Sequence, residues 1–311
     1  VIRQLDTLLA PGRLTVDLKA RGAEMMVRIE RGLGSALVLA DGRSAPPRLA
    51  AAMRSAVFPG GARVRPRLCI AVAQACGEDL PEVTDAAASA LELLHCASLV
   101  HDDLPCFDDA DTRRGRPSVH RAYGERLAVL AGDALIVLAF QTLSLGAARA
   151  PQRLAPLLSM VARSVGSPDG ICAGQAWECE PRVALSDYHR AKTGALFAAA
   201  TMAGAESAGA PAAPWRALGE RLGEAYQVAD DICDAAGDES ETGKPTGRDS
   251  ALARPSAVAE AGLAGAIARF RVLVDAVLGS VPPCPGEDEL RSLVYAEAQR
   301  LIPKKLARLA A

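Results

Sequence analysis

A chain of 311 residues suffices for one large core or for two ordinary domains. Half of it is hydrophobic yet only 4% is aromatic, so alanine, leucine and valine must fill the interior, which favours close-packed helices over a sheet. A net charge of -2 excludes whole-molecule attraction to nucleic acid or to an anionic bilayer, so any polyanion must be held by a local cluster.

Helical periodicity runs through the chain and predicts helices over about 14–40, 47–58, 64–77, 80–102, 124–146, 151–165, 168–180, 186–206, 213–236, 253–279 and 286–301. Proline and glycine punctuate them at FPGGARVRP (58–66), AGAPAAP (208–214), GDESETGKPTGRD (237–249) and VPPCPGE (281–287). No stretch alternates with period two, and there is no long linker, repeat or low-complexity tail. Helices such as ALELLHCASLV and LAVLAGDALIVLAF are apolar nearly all round, as helices inside a bundle or lining a cavity are. The expectation is one all-α domain over residues 1–311, a large bundle of about ten or more helices around a central apolar cavity. No apolar run reaches the roughly 18 residues that cross a bilayer, so no membrane span is expected, and no signal-peptide pattern is visible. The eight cysteines form no Cys-x-x-Cys pair, which argues against zinc or a disulfide framework and for reduced thiols in the cytoplasm.

Chemistry concentrates in two acidic groups. HDDLPCFDDADTRRGRP, from His101 to Pro117, carries Asp102, Asp103, Asp108, Asp109 and Asp111 at the end of an apolar helix. Pro105 should end that helix just after Asp103 and let Asp108 fold back towards the first pair. The second group, Asp230, Asp231 and Asp234, lies in AYQVADDICDAAGD, where residues four apart share a helix face. Groups made up mainly of carboxylates suit Mg²⁺, which keeps several waters and completes its shell with phosphate oxygens.

The cations point to the same polyanion. Lysine occurs only at Lys19, Lys192, Lys244, Lys304 and Lys305, so Lys192 and Lys244 stand out in an arginine-rich chain, and a compact ammonium suits a diphosphate oxygen beside metal. Arg113 and Arg114 follow the first acidic group with forked donors that match phosphate. Arg63 and Arg65 follow the Gly60–Gly61 turn and are candidates for a second anion.

These motifs resemble the trans-isoprenyl diphosphate synthases, the polyprenyl synthetase family, over roughly residues 55–255. HDDLPCFDDADTRRGRP resembles the family's first aspartate-rich motif and YQVADDICD its second, with Gly174–Gln175, KTGALF and GKPTGRD in the expected order. LVHDDLPCFDDADTRRG and GICAGQAWE look most like bacterial geranylgeranyl diphosphate synthases. The resemblance implies an isoprenoid synthase-like fold and a cytoplasmic homodimer. It implies a Mg²⁺-dependent prenyltransferase, with three ions, that condenses isopentenyl diphosphate with an allylic diphosphate. Asp102, Asp103, Asp108, Asp230, Asp231 and Asp234 would hold metal, and Arg113, Lys192 and Lys244 would grip the allylic diphosphate. Arg65, His95 and Arg114 would bind isopentenyl diphosphate, while Thr193, Gln175 and Gln227 would line the space where the reacting carbons meet. The family reads GGKRxRP where this chain reads GGARVRP, so isopentenyl diphosphate should bind more weakly unless Arg63 substitutes for the lysine missing at Ala62.

Ser98 and Ala97 precede Asp102 by about 6–7.5 Å of helix and Leu94 by about 12 Å. Small side chains there would let the product grow to twenty carbons before Leu94 begins the next barrier. Ala97→Tyr or Ala97→Phe should then shorten it to fifteen. A farnesyl diphosphate synthase, a terpene cyclase and a non-catalytic partner subunit remain open alternatives. The basic PKKLARLAA terminus is read as a solvated tail rather than a lid over the site.

Overall fold

The computed structural model describes residues 13–42, 44–182, 184–236 and 256–300. Lys244 and the PKKLARLAA terminus lie outside the described residues. The helices are α1 (Arg13–Ala40), α2 (Pro47–Val57), α3 (Val64–Ala75), α4 (Pro81–Asp102), α5 (Val119–Tyr123), α6 (Glu125–Gly146), α7 (Pro151–Val165), α8 (Ile171–Ala176), α9 (Leu185–His189), α10 (Ala195–Ser207), α11 (Arg216–Ala236), α12 (Ala257–Leu278) and α13 (Glu287–Arg300). Proline opens α2, α4 and α7, where its missing N–H leaves nothing unpaired. Ser256 caps α12 by accepting from the Ala259 N–H at 3.2 Å, a typical N-cap.

Two central helices order the bundle. α4 packs against α6, α3, α10 and α1, while α10 packs against α11, α3 and α7. Their side chains are buried on nearly every side, and alanines along α10 let its neighbours come close. Leu91, Leu93, Leu94, Leu135, Leu157, Leu196 and Phe197 are fully enclosed, each contributing about 1.5–3 kcal/mol of apolar burial. A second cluster joins Val228 and Ile232 of α11 to Ala266, Phe270 and Val274 of α12. It fixes the acidic end of α11 through its apolar back.

Several expectations need correction. Two short strands, β1 (Thr112–Arg113) and β2 (Arg116–Pro117), pair antiparallel; four residues are too few for a period of two to show. The helix expected over 168–180 shrinks to α8 followed by a 3₁₀ turn at Trp177–Cys179. The one expected over 186–206 is interrupted by a π turn at Arg190–Gly194. The expectation of no membrane-length apolar helix also fails. α4, and α6 extended by a 3₁₀ turn to Arg149, are both long and apolar enough to cross a bilayer by length and composition. An isolated charge such as Glu92 or Asp133 ends an unbroken apolar run without making a whole helix polar. α4 is nonetheless a core helix, with 78% of its apolar window buried, against 44% for that of α6.

Candidate active site

The first acidic group forms as Pro105 dictates. α4 ends at Asp102, Asp103 caps it, and the chain doubles back so that the Asp108 N–H bonds the Asp102 carbonyl at 3.0 Å. Asp103 is buried and accepts from Arg113 Nε at 3.0 Å and again from Nη2. Burial works against the Arg113 charge, but Asp103 outweighs it and holds the guanidinium above its ordinary value. Asp102 accepts from Gln175 Nε2 of α8 at 2.5 Å, and Gln175 Oε1 is buried with no protein partner.

The π turn links this group to the second. Lys192 within it feels the charge of Asp102, which with Tyr188 and Glu178 overcomes burial and raises the ammonium above its usual value. The neighbouring Thr193 donates to Gln227 Oε1 at 2.9 Å. Gln227 Nε2 donates to Asp231 Oδ1 at 3.0 Å, and Asp231 Oδ2 accepts the Ala257 N–H at 2.7 Å. The backbone of Lys192 also packs on Gly174, beside the Gln175 that holds Asp102, so one turn of chain adjoins both acidic groups, and Asp231 ties α11 to the start of α12. π turns of this kind recur at functional sites.

Sequence reasoning missed two residues here. Glu178 accepts from Lys192 Nζ, and from Tyr188 Oη at 2.6 Å, so Lys192 is held by a carboxylate and lies over a buried phenol ring. The spacing in GQAWE, which puts Glu178 one helical turn beyond Gln175, was the available signal.

The second anion group assembles only in part. Arg65 is buried, its guanidinium carbon 4.8 Å from the centre of the Phe197 ring and its Nε unpartnered. Burial and then the guanidiniums of Arg65, Arg114, Arg113 and Arg63 push His95 well below its ordinary pKa, so it is neutral near pH 7. Arg114 sits at the turn of the β1–β2 hairpin, where Arg114 and Gly115 both take positive φ (54° and 72°), as a tight hairpin turn requires. Arg63 is a correction. Its side chain is fully enclosed and donates to Glu92 at 2.7 Å, Glu30 at 2.9 Å and the Val57 carbonyl at 2.8 Å. All three of its nitrogens are taken up by acceptors within the protein.

Ala97 and Leu94 are buried, and Ser98 is half-buried with its hydroxyl donating to the His95 carbonyl at 2.8 Å. Among the described residues, no three carboxylate, histidine or cysteine side chains converge tightly enough to hold a metal ion unaided. The two acidic groups offer carboxylate oxygens, the donors used by an ion such as Mg²⁺, which takes one or two carboxylates and fills its shell with water and phosphate oxygens. The donor set suits it, being all oxygen.

Residues 46–283 match the Polyprenyl synthetase family. The chain is 54% identical to the geranylgeranyl diphosphate synthase of Cereibacter sphaeroides over 90% of its own length and 97% of the relative's. It is 52% identical to that of Rhodobacter capsulatus, over 88% and 95%. Its fold superposes on the geranyltransferase of Helicobacter pylori, solved with magnesium and isoprenyl diphosphate, with a TM-score of 0.78 and 30% identity over 89% of this chain and 97% of that one. Motif order, fold and these likenesses agree, and the chain belongs to the polyprenyl synthetase family.

Proposed function

We propose that the chain is a head-to-tail trans-prenyltransferase that condenses isopentenyl diphosphate with an allylic diphosphate and stops at geranylgeranyl diphosphate. The observation that carries this reading is the π turn at Lys192–Thr193. It lies between the acidic ends of α4 and α11: its Lys192 backbone packs on Gly174, beside the Gln175 that holds Asp102, and its Thr193 reaches Asp231 through Gln227. The two bacterial relatives that carry the geranylgeranyl name support the product length.

Asp102, Asp103 and Asp108 on one side and Asp230, Asp231 and Asp234 on the other would hold Mg²⁺, in three ions. Bound there, magnesium supplies the positive charge that stabilises a departing diphosphate. Lys192 and Arg113 add fixed charge to the same leaving group, and Lys244 would join them. Gln175 orients Asp102, and Thr193 with Gln227 orients Asp231. The apolar flanks of α4 and α10 keep water from the allylic cation. Arg65, Arg114 and the neutral His95 hold isopentenyl diphosphate so that its double bond faces that cation. The proton released after the new carbon–carbon bond forms passes to a diphosphate oxygen.

The enzyme acts as one domain and, we propose, as a homodimer in a reducing cytoplasm, where its eight free thiols persist. The test is the purified chain given isopentenyl diphosphate with dimethylallyl, geranyl or farnesyl diphosphate, with and without Mg²⁺, the products being read by mass spectrometry. A metal-dependent linear twenty-carbon diphosphate is expected. A folded protein with no turnover on any allylic starter would instead favour a non-catalytic partner subunit.

A further inference from the structure

Three of the five residues of the β1–β2 hairpin and its turn that follow Thr112 are arginines. Arg113 faces Arg116 in the strand register, and Arg114 occupies the turn. Like charges directly opposed on neighbouring strands repel. Asp103 takes up the charge of Arg113, but among the described residues no carboxylate pairs with Arg114 or with the exposed Arg116. Both line one cleft, together with Ser55 of α2, Pro59 just beyond it and Asp103 at the cap of α4.

The loop beside that cleft cannot supply the missing charge. Gly61 lets the Arg114 guanidinium lie against its backbone, where a Cβ would stand 3.0 Å away. The next side chain is the methyl of Ala62, and Arg63 beyond it is committed to Glu92 and Glu30. We propose that Arg116 is a ligand of the isopentenyl diphosphate head group and provides the cation that position 62 lacks. This rests on the prenyltransferase reading above. A diphosphate between Arg114 and Arg116 satisfies two forked guanidiniums and relieves the repulsion across the hairpin.

Arg116→Gln removes the charge from an exposed position with little cost to folding. Calorimetric titration of isopentenyl diphosphate into the full chain, beside kinetics in which each substrate is varied in turn, reads its effect. Kd and KM for isopentenyl diphosphate should rise about tenfold, the loss of one charge-assisted contact, while KM for the allylic diphosphate stays near wild type. Ala62→Lys added to the same chain should recover most of that loss. An unchanged Kd for isopentenyl diphosphate in Arg116→Gln, or a defect confined to the allylic substrate, overturns the proposal. A wild-type chain that binds isopentenyl diphosphate without turnover defeats the prenyltransferase reading, and the titration still decides Arg116. A wild-type chain that binds none of it overturns both.

Discussion

Arg63 and Arg65 lie two residues apart at the start of α3, yet their guanidiniums end in different places. Arg63 turns inward to Glu92 and Glu30, whereas Arg65 lies over Phe197 with an unpartnered Nε. The first should therefore behave as a structural residue. Arg63→Ala leaves Glu92 buried without its partner and should cost about 3–5 kcal/mol, visible as a lowered urea midpoint; an unchanged midpoint with a raised KM for isopentenyl diphosphate would restore the ligand reading. Ala97 makes the opposite kind of prediction. Ala97→Phe should shift the product from twenty carbons to fifteen and cost about 1–3 kcal/mol by overpacking a buried position. A variant that folds and still releases only the twenty-carbon product removes Ala97 from the length control. The aspartates were legible as residues because their clustering is unusual in itself. The commitment of Arg63 was not, because Glu30 and Glu92 lie 33 and 29 positions away along the chain.

At the scale of elements, helices punctuated by proline and glycine could be read almost directly. Pro47, Pro81 and Pro151 open α2, α4 and α7, and Pro105 closes off the helix that carries Asp102. The π turn could not be read, since Lys192 and Thr193 within it are held by Glu178 and Gln227 from elsewhere in the chain, and the hairpin could not because two residues per strand show no period. The junction before the π turn has a measurable signature. Burial, with Arg269 and Lys192 adding to it, lowers the pKa of His189 from 6.5 to about 4, and its Nε2 finds no partner. Below pH 6.5 the unfolded chain takes up a proton that the folded chain refuses until near pH 4. The stability contributed by neutral His189 is thus complete above that window and is lost as pH falls through it. From pH 7.5 to pH 5 the wild type should lose roughly 2 kcal/mol more than His189→Phe. Parallel losses in urea titrations of the two proteins would show that His189 is not the group responsible.

For the whole molecule, the two core clusters hold the acidic ends of α4 and α11 about a shared π turn, while α6 keeps an apolar outer flank. Val129, Leu130, Val137 and Leu145 are exposed there, Val137 at 67%, an apolar surface of the kind that marks an interface. Val137→Glu should convert a dimer into monomers in sedimentation velocity, and a dimer of wild-type stability would place the interface elsewhere. Composition foretold the helical architecture, because so few aromatics leave alanine-rich helix packing as the way to fill the core. It could not foretell which helix flank stays uncovered. The central claim is that the two acidic helix ends act as one clamp, and Asp102→Asn and Asp230→Asn test it most directly. Each is predicted to reduce turnover at saturating Mg²⁺ and substrate by about a thousandfold or more while leaving the thermal midpoint near that of wild type. Turnover within about tenfold of wild type in either variant would contradict the clamp.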